Sequence, residues 1–501
     1  MTPAPTEEAA ARAAAPAILA RLVHRRVVAD TLTAVAAAQR LFEPGRGDWL
    51  LESVEGGAIR GRYSLLGIEP DLVLRGTGVQ AQVNRQWRED RAAFEPVTGD
   101  PLQALRALAA ECRIDPLPEG LPNALAFLVG YFSYESFALV EPVGRAAPSE
   151  LAVPDLVFVR PTLLLVFDRL ADTLDLIAPV WAGGDEAAAR SRIDEALTRL
   201  SAPAPASAPQ PPPAASERAA ITHAIAPQRY AEMVRQAQAH IAAGDIFQVV
   251  LAQRFTQHFA LPPLALYRAL RRINPSPFLY FLDLPNFAIV GSSPEILVRV
   301  RDRRITVRPI AGTRPRGRDE AEDVALRGEL LADPKERAEH LMLLDLGRND
   351  VGRAAAPGSV TVTESFTVEH YSHVMHIVSN VTGDLRDGSD ALDALFAGFP
   401  AGTVSGAPKV RAAQIIAALE PETRGAYAGG IAYFAADGSM DSCIVLRTGV
   451  IKDGVLHVTA GAGIVADSDP ASEQCECEAK ARALFRAADE ARRLAREGSP
   501  L

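Results

Sequence analysis

A chain of 501 residues that is 48% hydrophobic and 23% charged has ample material for a folded core and lacks the composition of a disordered protein. At about 100–200 residues per domain, the length allows two large domains. A formal net charge of -10 argues against a nucleic-acid surface, but a local pocket can still hold an anion.

The N-terminus carries Glu7 and Glu8 and then alanines. It has no basic stretch leading into an apolar one, so no signal peptide is expected. Alternation and apolar runs predict strands at 62–67, 71–75, 126–133 and 156–167, and helical spacing predicts helices at 101–112 and 186–200. The apolar stretch 163–181 is interrupted by Asp168, Arg169, Asp172 and Asp175. It reads as two strands and a turn rather than a membrane span, and the expected location is the cytoplasm. Residues 201–216 are almost entirely Pro, Ala and Ser, the composition of a semi-rigid linker. The expected organisation is therefore an N-terminal domain at 1–200, a linker at 201–216 and a C-terminal domain at 217–501.

Beyond the linker, helices are predicted at 227–243, 263–272, 320–331, 334–346, 407–419 and 470–495. Strands are predicted at 247–255, 278–283, 288–292, 360–368, 373–381, 430–435 and 443–451. No strand leads into a GxGxxG turn or a P-loop, so nucleotide chemistry has no support. Strands without regular helix alternation predict an α+β fold of mixed, mainly antiparallel sheets. The cysteines are Cys112, Cys443, Cys475 and Cys477. They form no disulfide framework, and Cys475-x-Cys477 lacks the companions of a metal site.

Chemistry concentrates in the C-terminal part. Glu336 and Glu339 lie three apart on one predicted helix, and Glu473, Glu476 and Lys480 share one face of another. Two such pairs facing across a cleft would suit Mg²⁺, which takes one or two carboxylates plus water and substrate oxygen. The same spacing also fits two solvated helical faces. Glycine-rich stretches at 402–409 and 461–465 could bring backbone N–H groups to an anion, or form ordinary turns. His376 falls in a strand, where histidine also serves as packing. Arg447, read as part of an apolar strand, needs a carboxylate from a ligand or from the protein. The stretch 346–350 (LGRND) reads as a polar loop after its helix.

The order and wording of these segments resemble the chorismate-utilising enzyme family, most closely its anthranilate synthase component I branch. The stretches that carry the resemblance include GDIFQVVLAQRF (244–255), INPSPFLYF (273–281), GSSPE (291–295), PIAGTRPRG (309–317) and ERAEHLMLLDLGRNDVGR (336–353). They continue through YSHVMHIVSNVTG (371–383), GTVSGAPK (402–409), GAYAGGIAYF (425–434), CIVLRTG (443–449) and GAGIVADSDP (461–470). The resemblance covers nearly all of 228–490 and implies mainly antiparallel sheets packed face to face with helices outside.

It also implies roles. Glu339 and Glu476 would bind Mg²⁺, with Glu336 and Glu473 acting through water. Arg447, Tyr427, Lys480 and the backbone at Gly461, Ala462 and Gly463 would hold substrate carboxylate, and Thr313 and Thr403 would line the pocket, Thr403 close to the chemistry. Glu295 would be the general acid and His376 would serve the later loss of pyruvate. Relatives that add water carry a lysine base where this chain has Gln248. Relatives that make the 4-amino product carry a nucleophilic lysine where this chain has Ala311. Both absences favour ammonia addition and anthranilate as product over isochorismate synthase or aminodeoxychorismate synthase. An enzyme stopping at aminodeoxyisochorismate is less clearly separated. An inactive ligand-sensing paralogue is disfavoured because Glu295, Glu339, Glu476, His376 and Arg447 are all retained.

Glu52, Ser53 and Arg62, completed by Pro277, Phe278 and Leu279, resemble the segment that binds tryptophan as feedback inhibitor. The same residues could simply pack the domain interface. The chain ends without a Cys-His-Glu amidotransferase set, so ammonia is expected from glutamine through a separate small subunit.

Overall fold

The computed structural model describes residues 21–55, 59–114, 116–121, 125–181, 183–203, 220–371 and 374–497. Most of the Pro/Ala-rich segment, 204–216, and His373 lie outside the described residues.

Two twelve-stranded sheets, antiparallel in every pairing described, make the frame. They pack face to face over one large hydrophobic core, as when Tyr131 of one sheet meets Phe287 of the other edge-on, with ring centroids 5.8 Å apart. Helices cover the frame. Among the described residues, no helix is long and apolar enough to cross a membrane.

Each sheet takes strands from both sides of the 201–216 segment. In the first sheet Asp48–Glu55 pairs with Phe278–Leu284, and in the second Ala126–Phe132 pairs with Gly430–Ala435. Ladder hydrogen bonds and apolar burial are therefore shared between the two parts of the chain, so the residues before the linker do not own a sheet of their own.

Several passages carry the chain from one sheet to the other, and three of them bear on the site or on the predicted strands. Leu156–Arg160 in the second sheet continues as Leu163–Asp168 in the first. Phe287–Ser293 in the first continues as Ile296–Arg301 in the second, and Met440–Ile444 in the second returns as Thr448–Lys452 in the first. The single strands expected at 156–167 and 443–451 are thus each two strands in different sheets. Both flanks of each break are buried, so the apolar run gives no sign of the switch. At the second passage, Pro294 lacks the N–H that a continuing ladder would need. At the third, Arg447 takes a left-handed backbone with φ of 48°, which costs a non-glycine residue about 1–3 kcal/mol.

The helix expected to end at 346 runs Pro334–Ala354, so the LGRND stretch is helical rather than a loop. Gly347 sits where a Cβ would fall 3.0 Å from Pro309, and Asp350 is buried against Lys409. Tertiary packing overrides the weak helix propensity of Gly, Asn and Asp there.

Candidate active site

The passages at 294–295 and 445–447 lie side by side. Ile444 N–H donates to the Glu295 carbonyl at 3.1 Å, and Ser292 N–H donates to the Arg447 carbonyl at 3.3 Å. The seam between the sheets therefore brings Glu295 and Arg447 to one cavity of about 710 Å³, whose walls also include Thr313, His376, Thr403, Tyr427, Gly461 and Gly463.

One wall is the pair Gln248–His258 and Val455–Ile464, in register at Val250 and Gly463. A Cβ on Gly461 would come within 2.8 Å of the Tyr427 hydroxyl, and one on Gly463 within 2.6 Å of the Gln248 amide nitrogen. The two glycines make room for those polar groups. Ala462, between them, is buried and is not part of the cavity lining. The facing wall is Ile310–Pro315 against Val374–Asp384, with Thr313 opposite His376.

Glu295 is buried, and desolvation pushes its carboxyl up to about 8 although a hydrogen bond from Thr403 pulls the other way. At neutral pH it is an acid that holds its proton. His376 Nδ1 lies 3.1 Å from the Gly312 carbonyl and 3.0 Å from the Thr313 hydroxyl. A carbonyl only accepts, so Nδ1 carries the proton and the Nε2 lone pair is left for other work. Burial lowers the imidazole pKa, which keeps the ring neutral. Arg447 is open to the cavity, yet the surrounding protein desolvates its guanidinium and lowers its pKa. Among the described residues, no carboxylate pairs with it, which leaves a fork of donors for a ligand carboxylate.

Two helices end at this cavity, and both start with an aspartate cap followed by proline. Asp333 accepts from the Lys335 and Glu336 amides at the start of Pro334–Ala354, and Asp469 accepts from the Ser472 amide at the start of Pro470–Arg496. Their first two turns present Glu336 and Glu339 from one side, Glu473 and Glu476 from the other. Burial raises the Glu339 pKa, and the nearby charges of Glu336 and Glu476 add to it. Carboxylates crowded across a gap are what a divalent cation relieves. Among the described residues, no three acidic, His or Cys side chains form a ready cage, but Mg²⁺ needs only one or two protein carboxylates. The residues fit that ion. Glu336 is meanwhile 3.1 Å from Arg314, and Lys480 bridges Glu476 at 2.7 Å and the Gly461 carbonyl at 2.9 Å.

Lys335 also lines the cavity, and nothing in its spacing marked it. Arg424 lies just behind the wall. It is buried, paired with Glu420, and donates to the carbonyls of Val404 at 2.8 Å and Val250 at 2.7 Å.

The chorismate binding enzyme family matches residues 62–486. The chain belongs to that family. It is 51% identical over 484 residues to the anthranilate synthase component 1 of Cereibacter sphaeroides, covering 95% of this chain and 96% of that one. It is 46% identical over 471 residues to the component 1 of Thermus thermophilus, covering 94% and 98%. The crystal structure of anthranilate synthase component I from Streptococcus pneumoniae superposes with a TM-score of 0.77 at 35% identity, over 92% of this chain and 99% of that chain. The menaquinone-specific isochorismate synthase of Escherichia coli, 21% identical with a TM-score of 0.69 over 96% of this chain and 98% of that one, shares the fold.

The proposed inhibitor segment of this chorismate binding enzyme lies outside the cavity. Glu52 and Leu279 are partners in the strand register. The Glu52 carboxylate is buried and already accepts from Tyr267 at 2.7 Å, from Ser64 at 3.1 Å, and from Arg271 and Arg169. Arg62 is occupied by Asp168, with Nη2 at 2.7 Å. The Ser53 hydroxyl fills the space where a Cβ on Gly61 would stand.

Proposed function

We propose that this chain is the chorismate-binding component of an anthranilate synthase, converting chorismate and ammonia to anthranilate and pyruvate. One observation carries the reading. A single cavity is lined by a buried Glu295 whose carboxyl is pushed up to about 8, by Arg447, which has no carboxylate partner among the described residues, and by carboxylates on two helices. It also holds Gln248 and Ala311, where the resemblance implies lysines in the water- and lysine-using relatives.

Arg447 binds one carboxylate of the dianionic substrate, and Lys480 and the Gly461–Gly463 backbone stand ready for the other. Mg²⁺ on Glu339 and Glu476, with Glu336 and Glu473 at the water layer, would neutralise the ring carboxylate and draw electron density from the ring. Ammonia adds at ring carbon 2 while Glu295 protonates the hydroxyl leaving carbon 4. Thr403 orients the acid. Neutral His376 takes the carbon-2 proton through Nε2 as the enolpyruvyl group departs, and the ring becomes aromatic. The amide of Gln248 is too weak a base to activate water, and Ala311 offers no covalent nucleophile. Ammonia is drawn from glutamine by a separate amidotransferase subunit.

The pairing of Glu52 with Leu279 supports a feedback role for the inhibitor segment. Phe278–Leu284 is flanked by the Glu52 strand on one side and by Phe287–Ser293, which leads into Glu295, on the other. Tryptophan bound near Ser53 and Pro277 would press on the strand next to the one that delivers the acid.

Product analysis of the isolated chain with chorismate, Mg²⁺ and an ammonium salt tests the reading. Anthranilate and pyruvate are expected, and isochorismate, an aminodeoxychorismate isomer or no product would overturn it. Glutamine should replace ammonium only when the amidotransferase subunit is added.

A further inference from the structure

The segment 399–408 carries Thr403, and its two ends meet at one buried ammonium. Lys409, the first residue of Lys409–Leu419, donates to the carbonyl of Gly398, the last residue of Ala391–Gly398, at 3.0 Å. The same Nζ donates to Asp350 Oδ1 at 2.8 Å, and both side chains are 7% exposed. Asp350 belongs to Pro334–Ala354, the helix that carries Glu339. A second contact joins the same two pieces. A Cβ on Gly402 would fall 2.2 Å from Leu346 Cδ2, so the segment rests directly on that helix. Thr403, the next residue, then reaches both oxygens of Glu295 at 3.2 Å.

We propose that Lys409, with Asp350, is a positioning device that locks the Thr403 segment to the Glu339 helix and so holds Thr403 against Glu295. This rests on the reading of Glu295 as the acid. A buried ion pair is a poor source of net stability, because two well-packed apolar side chains commonly replace it without loss. Burial lowers the Lys409 pKa and raises that of Asp350, which is the mark of that cost. An ammonium with two directed donors can do what methyl groups cannot: fix Gly398 and the helix at once, and with them the angle of the intervening segment.

The test is a double-mutant cycle with ammonium as nitrogen donor. K409M/D350L leaves no buried charge and is expected to melt close to the wild type. Its KM for chorismate should stay near the wild-type value while kcat falls about tenfold or more. T403V should slow the wild type but add little in the K409M/D350L background, because Thr403 is already displaced there. Recovery of kcat together with thermal stability, or an equal cost of T403V in both backgrounds, overturns the proposal. If the apolar pair does not fold, K409M/D350N, also without charge, carries the same comparison. The cycle is read on whichever product the wild type makes, so its failure is distinct from a failure of the anthranilate assignment.

Discussion

The Thr403 hydroxyl lies 3.2 Å from both carboxylate oxygens of Glu295, and it donates to a group that burial otherwise isolates. Burial sets the strength and pH range of the acid, and that pairing pulls it part of the way back.

Glu295→Gln removes the proton and keeps the shape. We expect kcat to fall about 10²–10⁴-fold with little change in KM. In the wild type, kcat/KM for chorismate, measured at constant free ammonia, should fall as pH rises through about 8, where Glu295 ionises. T403V removes the bond that favours the charged form and should move that limb to higher pH. The folded pKa is raised, so the folded state keeps a proton that the unfolded chain has lost above its ordinary value of 4.5. Stability is therefore lost between about 4.5 and 8 as pH rises, and E295Q should flatten that dependence. An unchanged pH profile in T403V would break the link between the two residues.

Much of this site was legible because helical spacing is reliable. Glu336 with Glu339, and Glu473 with Glu476, had to share helix faces, and Asp-Pro starts mark both helices. The antiparallel frame followed from strands without regular helix alternation. What was hidden depends on contacts between distant segments. Arg447 read as a strand residue because both flanks of the break are apolar and buried, and only the sheet switch shows it at a seam with Glu295. The helix through Asp350 read as a loop because Gly347, Asn349 and Asp350 are weak helix formers, while Pro309, which packs on Gly347, and Lys409, which pairs with Asp350, lie far away in sequence. Glu52 was read as a ligand acceptor. Its ties to Arg169, Tyr267 and Arg271 could not be inferred from spacing.

Gln248 faces the cavity beside Gly463. Gln248→Lys places an amine where it can take a proton from water. Chromatography without ammonia should then reveal a water-addition product, and anthranilate formation with ammonia should drop. Unaltered anthranilate formation and no hydroxylated product would remove Gln248 from the specificity argument.

Ser53 and Glu52 are neighbours with different expected phenotypes. Ser53→Ala should raise the tryptophan concentration needed for half inhibition by about tenfold, the effect of losing one good polar contact near 1.4 kcal/mol, and leave uninhibited turnover unchanged. Glu52→Leu strands Arg169 and Arg271 without their carboxylate, so urea unfolding should report a loss of about 3–5 kcal/mol. Equal tryptophan potency in Ser53→Ala would place the inhibitor elsewhere.

Lys480 and Mg²⁺ make opposite demands on Glu476. The ammonium is 2.7 Å from the carboxylate, with the two side chains 51% and 48% exposed, so the pair is screened and weak. Glu339→Gln and Glu476→Gln each delete a negative ligand, and calorimetry should show Mg²⁺ binding weakened by about tenfold or more. Chelation should abolish turnover in the wild type. Lys480→Met removes a competitor for Glu476, so Mg²⁺ should bind tighter, but by at most about fivefold because an exposed pair contributes only about 0.2–1 kcal/mol. The same variant loses a cation at the substrate end, so KM for chorismate should rise. The two opposite shifts are the signature of a lysine that serves substrate and merely shares the metal's carboxylate. If Lys480→Met weakened both, the lysine would instead be organising the helix face that presents Glu476.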